Sequence, residues 1–397
     1  MGKIGVYGGS FNPIHLGHIH AAQEMADQLR LDQVLLIPAA QPPHKTLPAY
    51  SPTGEQRLEM VRLSAKGDPR LKECDLELLR EGKSYTVQTL RQLKDLYPGD
   101  DLYLLMGTDM FMGLDHWYLS EEICRLAHIV CISREEKDSR AELKKQAELL
   151  RSRLNADVSI LPSRPLEMNS TTIRRMIFFG CAEDYLSEDV YDYIRRNHLY
   201  GAGLDWTGLN FERLADRSLD LHKKDRISHV VGVSTTAAKL AERYGARIDY
   251  AMRAGILHDI TKALDGPEQL RLCRHFGIAL TPFEEKHPKL LHSKTGAAVA
   301  ERIFGERPEV CSAIFWHTTG CSNMALLDKI LYIADYSEPN RCFDGVEKIR
   351  EVLFQDLDLA LYRGFGMSLE ELKREGKALD RHSIEAYEYI KKERGFA

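Results

Sequence analysis

The pattern of apolar residues changes near the middle of this 397-residue chain, and that change constrains the fold more than any other feature. The first part alternates short β-rich runs with stretches of helical periodicity. From about Asn210 onward the strand pattern is absent and helical periodicity continues toward the end. The sequence therefore predicts an α/β unit followed by an all-α unit.

The first part is expected to form a doubly wound, Rossmann-like α/β sheet. Its predicted parallel strands are 3–7, 34–38, 102–106, 129–133 and 158–161. Its predicted helices are 17–30, 54–65, 86–97 and 140–154. Thr53 with Gln56 has the pattern of a capping box at the start of the second helix. In such a sheet, ligands bind at the carboxyl ends of the strands.

The second part is expected to be helical throughout. Its predicted helices are 229–244, 249–264, 267–276, 293–304, 309–317, 325–336 and 346–363. A glycine-rich segment at 198–209 separates the two patterns. The expected domains are therefore 1–200 and 210–397, joined by a linker at 201–209.

Composition excludes several classes of protein. The net charge of −5 gives no global field for a nucleic acid, so any phosphate site has to be local. No apolar run approaches the ~18 residues of a membrane span, and the N-terminus lacks a signal-peptide pattern. The eight cysteines include no C-x-x-C pair and are expected to be reduced, which favours a cytoplasmic protein. A homo-oligomer is left open.

A glycine-rich turn follows the first predicted strand and lets the backbone approach a ligand closely. The helix expected from Gly17 would offer free N–H groups and its positive dipole end to an anion. His15 and His18 are three residues apart, so both imidazoles can meet one phosphate. A glycine turn with two surface histidines is the alternative. The candidate binding residues of the turn are Gly8, Gly9, Ser10 and Phe11.

Six motifs in chain order extend this interpretation. They are H-x-G-H at 15–18, P-P-H-K at 42–45, S-Y-T at 84–86, M-G-T-D at 106–109, S-R at 133–134 and N-S-T-T-I-R at 169–174. Together they resemble the HxGH nucleotidylyltransferases, and among these the bacterial nicotinate mononucleotide adenylyltransferases, over about residues 1–200. Ser10, Asn12 and Asn169 replace residues that are commoner in the family, and all three keep hydrogen-bonding capacity.

The resemblance implies direct displacement at a phosphoryl centre. The 5′-phosphate of nicotinate mononucleotide would attack the α-phosphate of ATP, Mg²⁺ would enter with ATP, and pyrophosphate would leave. His15 and His18 would stabilise the transferring phosphate and the leaving group. Lys45 and Arg174 would hold phosphates as a point charge and as a planar fork.

The same resemblance implies residues that bind the substrates. Asp109 would accept from ribose hydroxyls, and Trp117 would stack on the pyridine ring unless it packs in the core. Backbone N–H groups near Tyr85 and Thr86 would meet the nicotinate carboxylate. For Lys45 a solvated surface position is the alternative. The implied binding residues are His44, Tyr85, Thr86, Gly107, Asp109, Trp117, Arg134, Ser170 and Thr171.

Histidines and aspartates lie in or beside different predicted helices of the second part. The candidate metal ligands are His229, His258, Asp259, His292, His317 and Asp335. Six ligands exceed the need of one open catalytic site and fit two Fe, Mn or Zn ions bridged by Asp259. Lys262, three residues after Asp259 and expected on the same helical face, could neutralise a phosphate. A core or surface role is the alternative, and surface positions are expected for His222, His275, His287 and His382.

Three motifs narrow the interpretation of the second part. G-I-L-H-D-I-T-K at 255–262 resembles the dyad of the HD phosphohydrolases. W-H-T-T-G at 316–320 and I-A-D-Y-S-E-P-N-R at 333–341 are similar to the HD-domain hydrolases that split diadenosine tetraphosphate symmetrically into two ADP. This resemblance covers about 210–397 and implies catalysis through Asp259 and Lys262, with iron as the metal.

The sequence thus predicts a bifunctional enzyme whose second activity has open alternatives. The HD domain could act on a cyclic dinucleotide, a guanosine polyphosphate or a nucleotide monophosphate. It could also be a nucleotide-sensing module without catalysis.

Overall fold

The computed structural model describes residues 2–42, 46–48, 50–134, 139–163 and 168–396, with Arg134 described by its backbone alone. The chain divides into two compact units, Met1–Leu204 and Asp205–Ala397. The division falls inside the segment 201–209 that the sequence assigns to a linker.

The first unit is built on a parallel six-stranded sheet with the order β3-β2-β1-β4-β5-β6. Its strands are β1 (Lys3–Gly9), β2 (Gln33–Pro38), β3 (Leu71–Glu73), β4 (Asp101–Gly107), β5 (His128–Arg134) and β6 (Val158–Ser163). The α/β prediction is confirmed, and β3 adds an edge strand that the sequence pattern does not predict. This order is that of a doubly wound fold, in which the strand order reverses between β1 and β4.

Helices connect the strands, because parallel neighbours require a crossover between them. In the described part of the first unit they are α1 (Leu16–Leu29), α2 (Gly54–Ala65), α3 (Thr86–Leu96), α4 (Thr108–Met112), α5 (Ser120–Leu126), α6 (Arg140–Leu154), α7 (Ser170–Phe178) and α8 (Glu188–Arg196). The capping box of α2 is confirmed: the Gln56 N–H donates to Thr53 Oγ1 at 3.2 Å, and the Thr53 N–H donates to Gln56 Oε1 at 3.0 Å.

The core of the first unit lies on the faces of the central strands. Ile4 and Val6 of β1 lie on one face of the sheet and Leu105 of β4 and Val130 of β5 on the other. All four are buried, as expected for a parallel sheet covered on both faces. This burial fixes the register of the strands and brings their carboxyl ends to one edge of the sheet.

The second unit is helical over its described residues, 205–396. Its helices are α9 (Phe211–Leu221), α10 (Ile227–Tyr244), α11 (Ile248–Leu257), α12 (Gly266–His275), α13 (Pro282–Lys286), α14 (Leu291–Arg302), α15 (Pro308–Trp316), α16 (Leu326–Ser337), α17 (Val346–Arg350), α18 (Leu357–Arg374) and α19 (Arg381–Arg394). Helix α10 packs against α11 and α16, and α14 packs against α15. The all-α prediction is confirmed.

Two predicted helices end earlier than the pattern suggests. The helix expected over 249–264 stops at Leu257, and turns follow it. Side chains take carbonyl oxygens that a continued helix would use: Ser218 Oγ donates to Ile256 O at 2.6 Å, and Gln269 Nε2 donates to Thr261 O at 2.7 Å. The helix expected over 346–363 is two helices, because Asp356 caps a new one at the Leu359 N–H.

Three other observations bear on the predictions. His222 was expected at the surface and is buried, where its Nδ1 donates to Ser218 O at 2.7 Å. All eight cysteines lie in described residues, and none of them forms a disulfide bond. No described helix is long and apolar enough to cross a membrane.

Candidate functional sites

The first candidate site lies at the carboxyl edge of the sheet. Gly9 ends β1, Gly107 ends β4 and the backbone of Arg134 ends β5, so three predicted binding positions follow adjacent strands. A Cβ added at Gly8 or Gly107 would meet no described atom within 4 Å, whereas one at Gly9 would come within 3.1 Å of the Phe11 ring. The open space in front of the first two glycines can admit a ligand.

The turn after β1 is held by contacts from a distant helix. Arg57 of α2 is buried and donates from a guanidinium nitrogen to Ser10 O at 2.7 Å. Phe11, with a φ of 41°, is buried with its ring edge-on to Tyr7 at 5.9 Å and to His18 at 5.2 Å. The turn therefore has one fixed shape that positions the following residues.

The two motif histidines lie side by side at the start of α1. Their ring centroids are 3.7 Å apart, and the His15 N–H donates to His18 Nδ1 at 3.3 Å. Burial lowers the pKa of His15 to about 4, so its imidazole is neutral at pH 7. A neutral imidazole acts on a phosphate as a hydrogen-bond donor and not as a cation.

The first turn of α7 approaches the same segment. Arg174 donates to Asn12 O at 2.8 Å and to Thr171 Oγ1 at 3.1 Å, and Ser170 Oγ donates to Pro13 O at 3.3 Å. Asn169 caps the helix by accepting from a backbone N–H. The structure thus brings the first and last motifs of the N-terminal unit together, although 157 residues separate Ser170 from Pro13.

Two of the predicted nicotinate-binding residues, Tyr85 and Thr86, lie at the N-terminus of α3. Ser84 Oγ accepts hydrogen bonds from the N–H groups of Ala40 and Gln41, which ties α3 to the loop after β2. Tyr85 and Trp117 are half-buried and pack against the core of the unit. Trp117 thus combines core packing with an exposed part that a ring could contact. Thr86 begins α3, and Asp109 is exposed on α4.

Three of the predicted phosphate or substrate ligands fall outside the part of the chain that the structure describes. His44, Lys45 and the side chain of Arg134 lie outside the described residues. Two residues that hold the turn after β1 were not predicted: Arg57, and Tyr200, whose hydroxyl donates to Asn12 Oδ1 at 2.8 Å. Arg57 occupies a core-facing position of α2 beside Met60 and Val61, and a cation in such a place is the signal that could have found it. No local sequence pattern marks Tyr200 as a residue of this site.

The six predicted metal ligands of the second unit converge around the carboxylate of Asp259. On its Oδ2 side, His229 Nε2 lies at 3.7 Å and His258 Nε2 at 3.4 Å. Asp335 Oδ1 closes this half, 3.1 Å from His229 Nε2 and 3.8 Å from His258 Nε2. Three of these residues, His229, His258 and Asp335, could hold one ion.

The other oxygen of Asp259 faces a second group of residues. His292 Nε2 lies 3.4 Å from Oδ1 and His317 Nε2 lies 3.6 Å from it, with 3.2 Å between the two nitrogens. The ammonium of Lys262 lies 3.4 Å from the same oxygen and 3.1 Å from His292 Nε2. Lys262 reaches this position from a turn and not, as predicted, from one face of a continuous helix.

Hydrogen bonds fix the tautomers of these histidines. His258, His292 and His317 donate from Nδ1 to backbone carbonyls at 2.6–2.7 Å, which leaves each Nε2 as an acceptor directed at the centre. His229 Nδ1 lies 3.1 Å from a carboxylate oxygen of Glu338. An imidazole fixed in this way is the usual form of a metal ligand.

Buried polar atoms without hydrogen-bond partners indicate that this centre can hold divalent metal ions. His229 Nε2, His258 Nε2 and Asp259 Oδ1 are buried without a hydrogen-bond partner among the described groups. Such orphaned acceptors are costly in a folded protein unless another species satisfies them. Nitrogen and carboxylate donors are the ligands that transition-metal ions use.

The charges at the centre also suit cations. Burial alone would raise the pKa of Asp259, but His258 and Lys262 outweigh it and hold that pKa well below its usual range. Burial lowers the pKa of His292 and of His317, so both favour the neutral, ligating form. His258 differs, because Asp259 beside it outweighs burial and raises its pKa.

Three further residues at this centre were missed by the sequence analysis. Glu338 is buried and supports His229, Arg226 forms an ion pair with Asp259, and Arg341 lies 2.5 Å from Asp335 Oδ1. Glu338 and Arg341 stand in the motif 333–341, so their place beside the candidate ligand Asp335 was available as a signal.

Family comparisons match each unit separately. The Cytidylyltransferase-like family matches residues 6–176, which span the sheet and its edge site. The HD domain family matches residues 226–340, which contain the six candidate metal ligands.

Individual relatives each cover about half of this chain. A probable nicotinate-nucleotide adenylyltransferase of Carboxydothermus hydrogenoformans is 38% identical over 199 residues, which cover 50% of this chain and 98% of the relative. One from Pseudomonas paraeruginosa is 37% identical over 215 residues, covering 51% and 99%. A crystal structure of a predicted HD superfamily hydrolase involved in NAD metabolism, from Clostridium acetobutylicum, is 34% identical, covers 47% of this chain and 98% of that one, and has a TM-score of 0.45.

Proposed function

The chain belongs, through its first unit, to the family of nicotinate-nucleotide adenylyltransferases, and from this premise we propose that it is a bifunctional enzyme. The first unit transfers AMP from ATP to nicotinate mononucleotide and releases pyrophosphate, a step of NAD synthesis. The second unit hydrolyses diadenosine tetraphosphate symmetrically to two ADP. The proposed domains are 1–200 and 210–397, each with a complete site and joined by 201–209.

The observation that supports the transferase is the convergence of three motif groups on one edge of the sheet. The paired rings of His15 and His18 lie beside the turn after β1, and α7 adds Arg174 over the same turn. Catalysis in such a site is positioning and charge stabilisation, because in-line displacement needs no covalent intermediate on the protein. His15 and His18 donate hydrogen bonds to the transferring phosphate, and Arg174 and Lys45 supply positive charge.

The transferase is tested by supplying the full chain with Mg·ATP and one phosphate-bearing acceptor at a time. Pyrophosphate release with nicotinate mononucleotide is expected to exceed release with nicotinamide mononucleotide or 4′-phosphopantetheine. His18→Ala is expected to lower kcat by about 10²–10³, as for the loss of one transition-state donor. His20→Ala, a change of a half-exposed histidine in the same helix, is the matched control. Equal release with all acceptors would reject the substrate assignment.

The observation that supports the hydrolase is the division of ligands between the two oxygens of Asp259. When bound, a pair of divalent ions activates water and binds the oxygens of a displaced phosphate. His229, His258 and Asp335 would hold one ion, His292 and His317 the other, and Asp259 both. We propose iron, which the HD resemblance implies. Lys262 lies where its ammonium can hold a phosphate oxygen and the negative charge of the departing ADP.

The hydrolase is tested by product analysis with the metal-loaded full chain. Diadenosine tetraphosphate is expected to give ADP as the sole nucleotide product, and ATP with AMP would contradict symmetric cleavage. Parallel reactions with a cyclic dinucleotide, a guanosine polyphosphate and a nucleotide monophosphate test the other phosphohydrolase substrates. Binding of these nucleotides without turnover would indicate a sensing module instead.

The independence of the domains is tested by cutting the chain between Leu204 and Asp205, where it divides into compact units. Each fragment is expected to keep the turnover that its half has in the full chain. Loss of transferase activity in the first fragment, with its circular dichroism unchanged, would show that its site is incomplete alone.

A further inference from the structure

A threonine hydroxyl lies at the metal centre beside two of the candidate ligands. Thr318 Oγ1 is 3.2 Å from His292 Nε2 and 3.2 Å from His317 Nε2, and these two nitrogens are 3.2 Å apart. The three atoms thus form a triangle with equal sides. The six candidate ligands do not include Thr318, so its hydroxyl is a further polar group at the centre.

The end of α15 brings Thr318 to this position. Side chains that follow one another on a continued helix point about 100° apart. Helix α15 stops at Trp316, however, and residues 317–319 form turns. Gly320, with a φ of 66°, closes the segment, because its N–H donates to Trp316 O at 2.8 Å. A Cβ at Gly320 would collide with the ring of Phe365, so the turn has one fixed place against the core.

Hydrogen bonds alone do not satisfy the triangle. His292 and His317 each donate from Nδ1 to a backbone carbonyl, so each Nε2 presents a lone pair. The Thr318 hydroxyl carries one hydrogen and donates to one nitrogen at a time. Lys262 can donate to His292 Nε2 at 3.1 Å, but the contact between the two nitrogens and one contact of the Thr318 oxygen still join acceptor to acceptor. A cation held among these atoms makes all of them favourable.

The spacing of the atoms is that of donors around one metal ion. Bonds of about 2.1 Å at tetrahedral or octahedral angles separate neighbouring donors by about 3.0–3.4 Å. The sides of the triangle have this length, and Asp259 Oδ1 lies 3.4 Å from His292 Nε2 and 3.6 Å from His317 Nε2. The two histidines and Asp259 supply three donors, so Thr318 adds a fourth.

A threonine hydroxyl is a neutral oxygen donor of the kind that holds Mg²⁺ in phosphate-binding loops. Oxygen donors suit Mg²⁺ and Mn²⁺, whereas Zn²⁺ binds well to imidazole. Because the hydroxyl adds no charge, an ion held by it keeps the positive charge with which it binds a phosphate oxygen.

We propose that Thr318 Oγ1 is the fourth protein ligand of the ion at Asp259 Oδ1, together with His292 Nε2 and His317 Nε2. The inference rests on the proposed two-ion hydrolase and adds a ligand to one half of its centre. It also gives the two halves different donor sets, since the other half has two histidines and two carboxylates.

The ligand is tested by calorimetric titration of the chelator-treated full chain with Mn²⁺ alone. Wild type is expected to bind two ions. Thr318→Val keeps the shape of the side chain and removes the hydroxyl, so it is expected to weaken one ion at least about tenfold, a loss seen even for groups that only orient a ligand. The other ion is expected to bind as in wild type. Thr318→Ser keeps the hydroxyl and is expected to recover most of the loss.

The neighbouring threonine supplies a matched control. Thr319 is half-buried like Thr318, but its hydroxyl donates to Gly320 O at 3.1 Å. Thr319→Val is therefore expected to bind both ions as wild type does. Thr318→Ala is a second hydroxyl-free variant if Thr318→Val does not fold.

Two further readouts separate a ligand from a group that only packs nearby. The visible absorption of bound Co²⁺ depends on the number and type of its ligands, so Thr318→Val is expected to change this spectrum and Thr319→Val to preserve it. Zn²⁺ is expected to lose less affinity than Mn²⁺ in Thr318→Val, because it depends less on an oxygen donor. Unchanged Mn²⁺ affinity and Co²⁺ absorption would overturn the proposal, and so would an equal weakening of both ions.

Ion binding needs no nucleotide, so these measurements are independent of the hydrolase assay. Thr318-dependent ion binding in a chain that does not split diadenosine tetraphosphate would reject the proposed function alone. Symmetric hydrolysis by wild type, with Mn²⁺ binding unchanged in Thr318→Val, would reject the ligand alone. Binding of a single ion by wild type would reject the two-ion centre and this ligand with it.

Discussion

The hydroxyl of Tyr200 donates a hydrogen bond to Oδ1 of Asn12 at 2.8 Å, across 188 residues of sequence. Tyr200 stands at the end of the first unit, and Asn12 belongs to the turn that precedes the motif histidines. Both residues are buried, and burial raises the pKa of the Tyr200 phenol, so it stays a donor at ordinary pH. The last residues of the unit thus help to hold the turn that follows β1.

Tyr200→Phe is expected to lower the free energy of unfolding by about 1–2 kcal/mol, because it leaves a buried acceptor on Asn12 without its donor. The KM for ATP is expected to rise with it, since the turn loses one of its supports. Urea unfolding and initial-rate kinetics measure the two effects. Tyr193→Phe, a partly exposed tyrosine of α8, is the control, and equal effects of both changes would refute this role of Tyr200.

The stability of the first unit is expected to fall on mild acidification because of His15. Its pKa is about 4 in the folded protein, below the ordinary value of 6.5, since burial disfavours the charged form. Between these values the unfolded chain binds the extra proton, so stability rises with pH from about 4 to 6.5 and is fully present above that range. The free energy of unfolding is expected to fall by about 2 kcal/mol between pH 7 and pH 5.

Hydrogen exchange of the β1 amides at the two pH values measures this effect within the first unit. His222 in the second unit also has its pKa lowered to about 4 by burial, and exchange in α10 reports that unit separately. His15→Gln is expected to flatten the pH dependence in β1, and His20→Gln is expected to preserve it. A steep slope that survives in His15→Gln would assign the effect to another group.

Local patterns predicted most of the fold, and they failed where tertiary contacts decide the outcome. The central strands and α2 follow from runs of buried residues and from the capping box of Thr53. Strand β3 has three residues, two of them exposed, so no periodicity can mark it. The early end of α11 depends on Ser218 and Gln269, which reach it from other helices.

The candidate sites divide in the same way. The spacing of His15 and His18 is local, and the structure places these rings together as that spacing suggests. The six candidate metal ligands could be identified from motifs, but their division between the two oxygens of Asp259 depends on how five segments pack. Tyr200 was beyond prediction, because its partner lies at the opposite end of the unit's sequence.

Glu338 is expected to support metal binding without touching a metal. Its carboxylate, 1% exposed, faces His229 Nδ1 and accepts from the N–H and side-chain amide of Asn340. Glu338→Ala removes the group that orients His229, so metal affinity is expected to fall by about 10–100-fold. Competition with a chelator at equilibrium measures this, and Glu338→Gln is expected to fall between the alanine variant and wild type.

The exposed Glu351 supplies the control for that experiment, as Glu351→Ala is expected to leave metal affinity unchanged. Circular dichroism of the variants separates loss of metal from loss of fold. Unaltered affinity in Glu338→Ala would show that the ring of His229 is held by packing alone.

The division of the candidate ligands between the two oxygens of Asp259 predicts that different substitutions remove different numbers of metal ions. Asp335 contacts His229 and His258 on the Oδ2 side, so Asp335→Asn is expected to lose one of two ions. His292→Ala is expected to lose the other ion, because its Nε2 faces Oδ1. Asp259→Asn removes charge from both halves and is expected to lose both ions. Elemental analysis of the purified full chain measures the number of ions per molecule. Asp249→Asn, which changes the carboxylate of an exposed ion pair, is the control. Loss of both ions in Asp335→Asn, or of only one in Asp259→Asn, would contradict a centre divided by a bridging carboxylate.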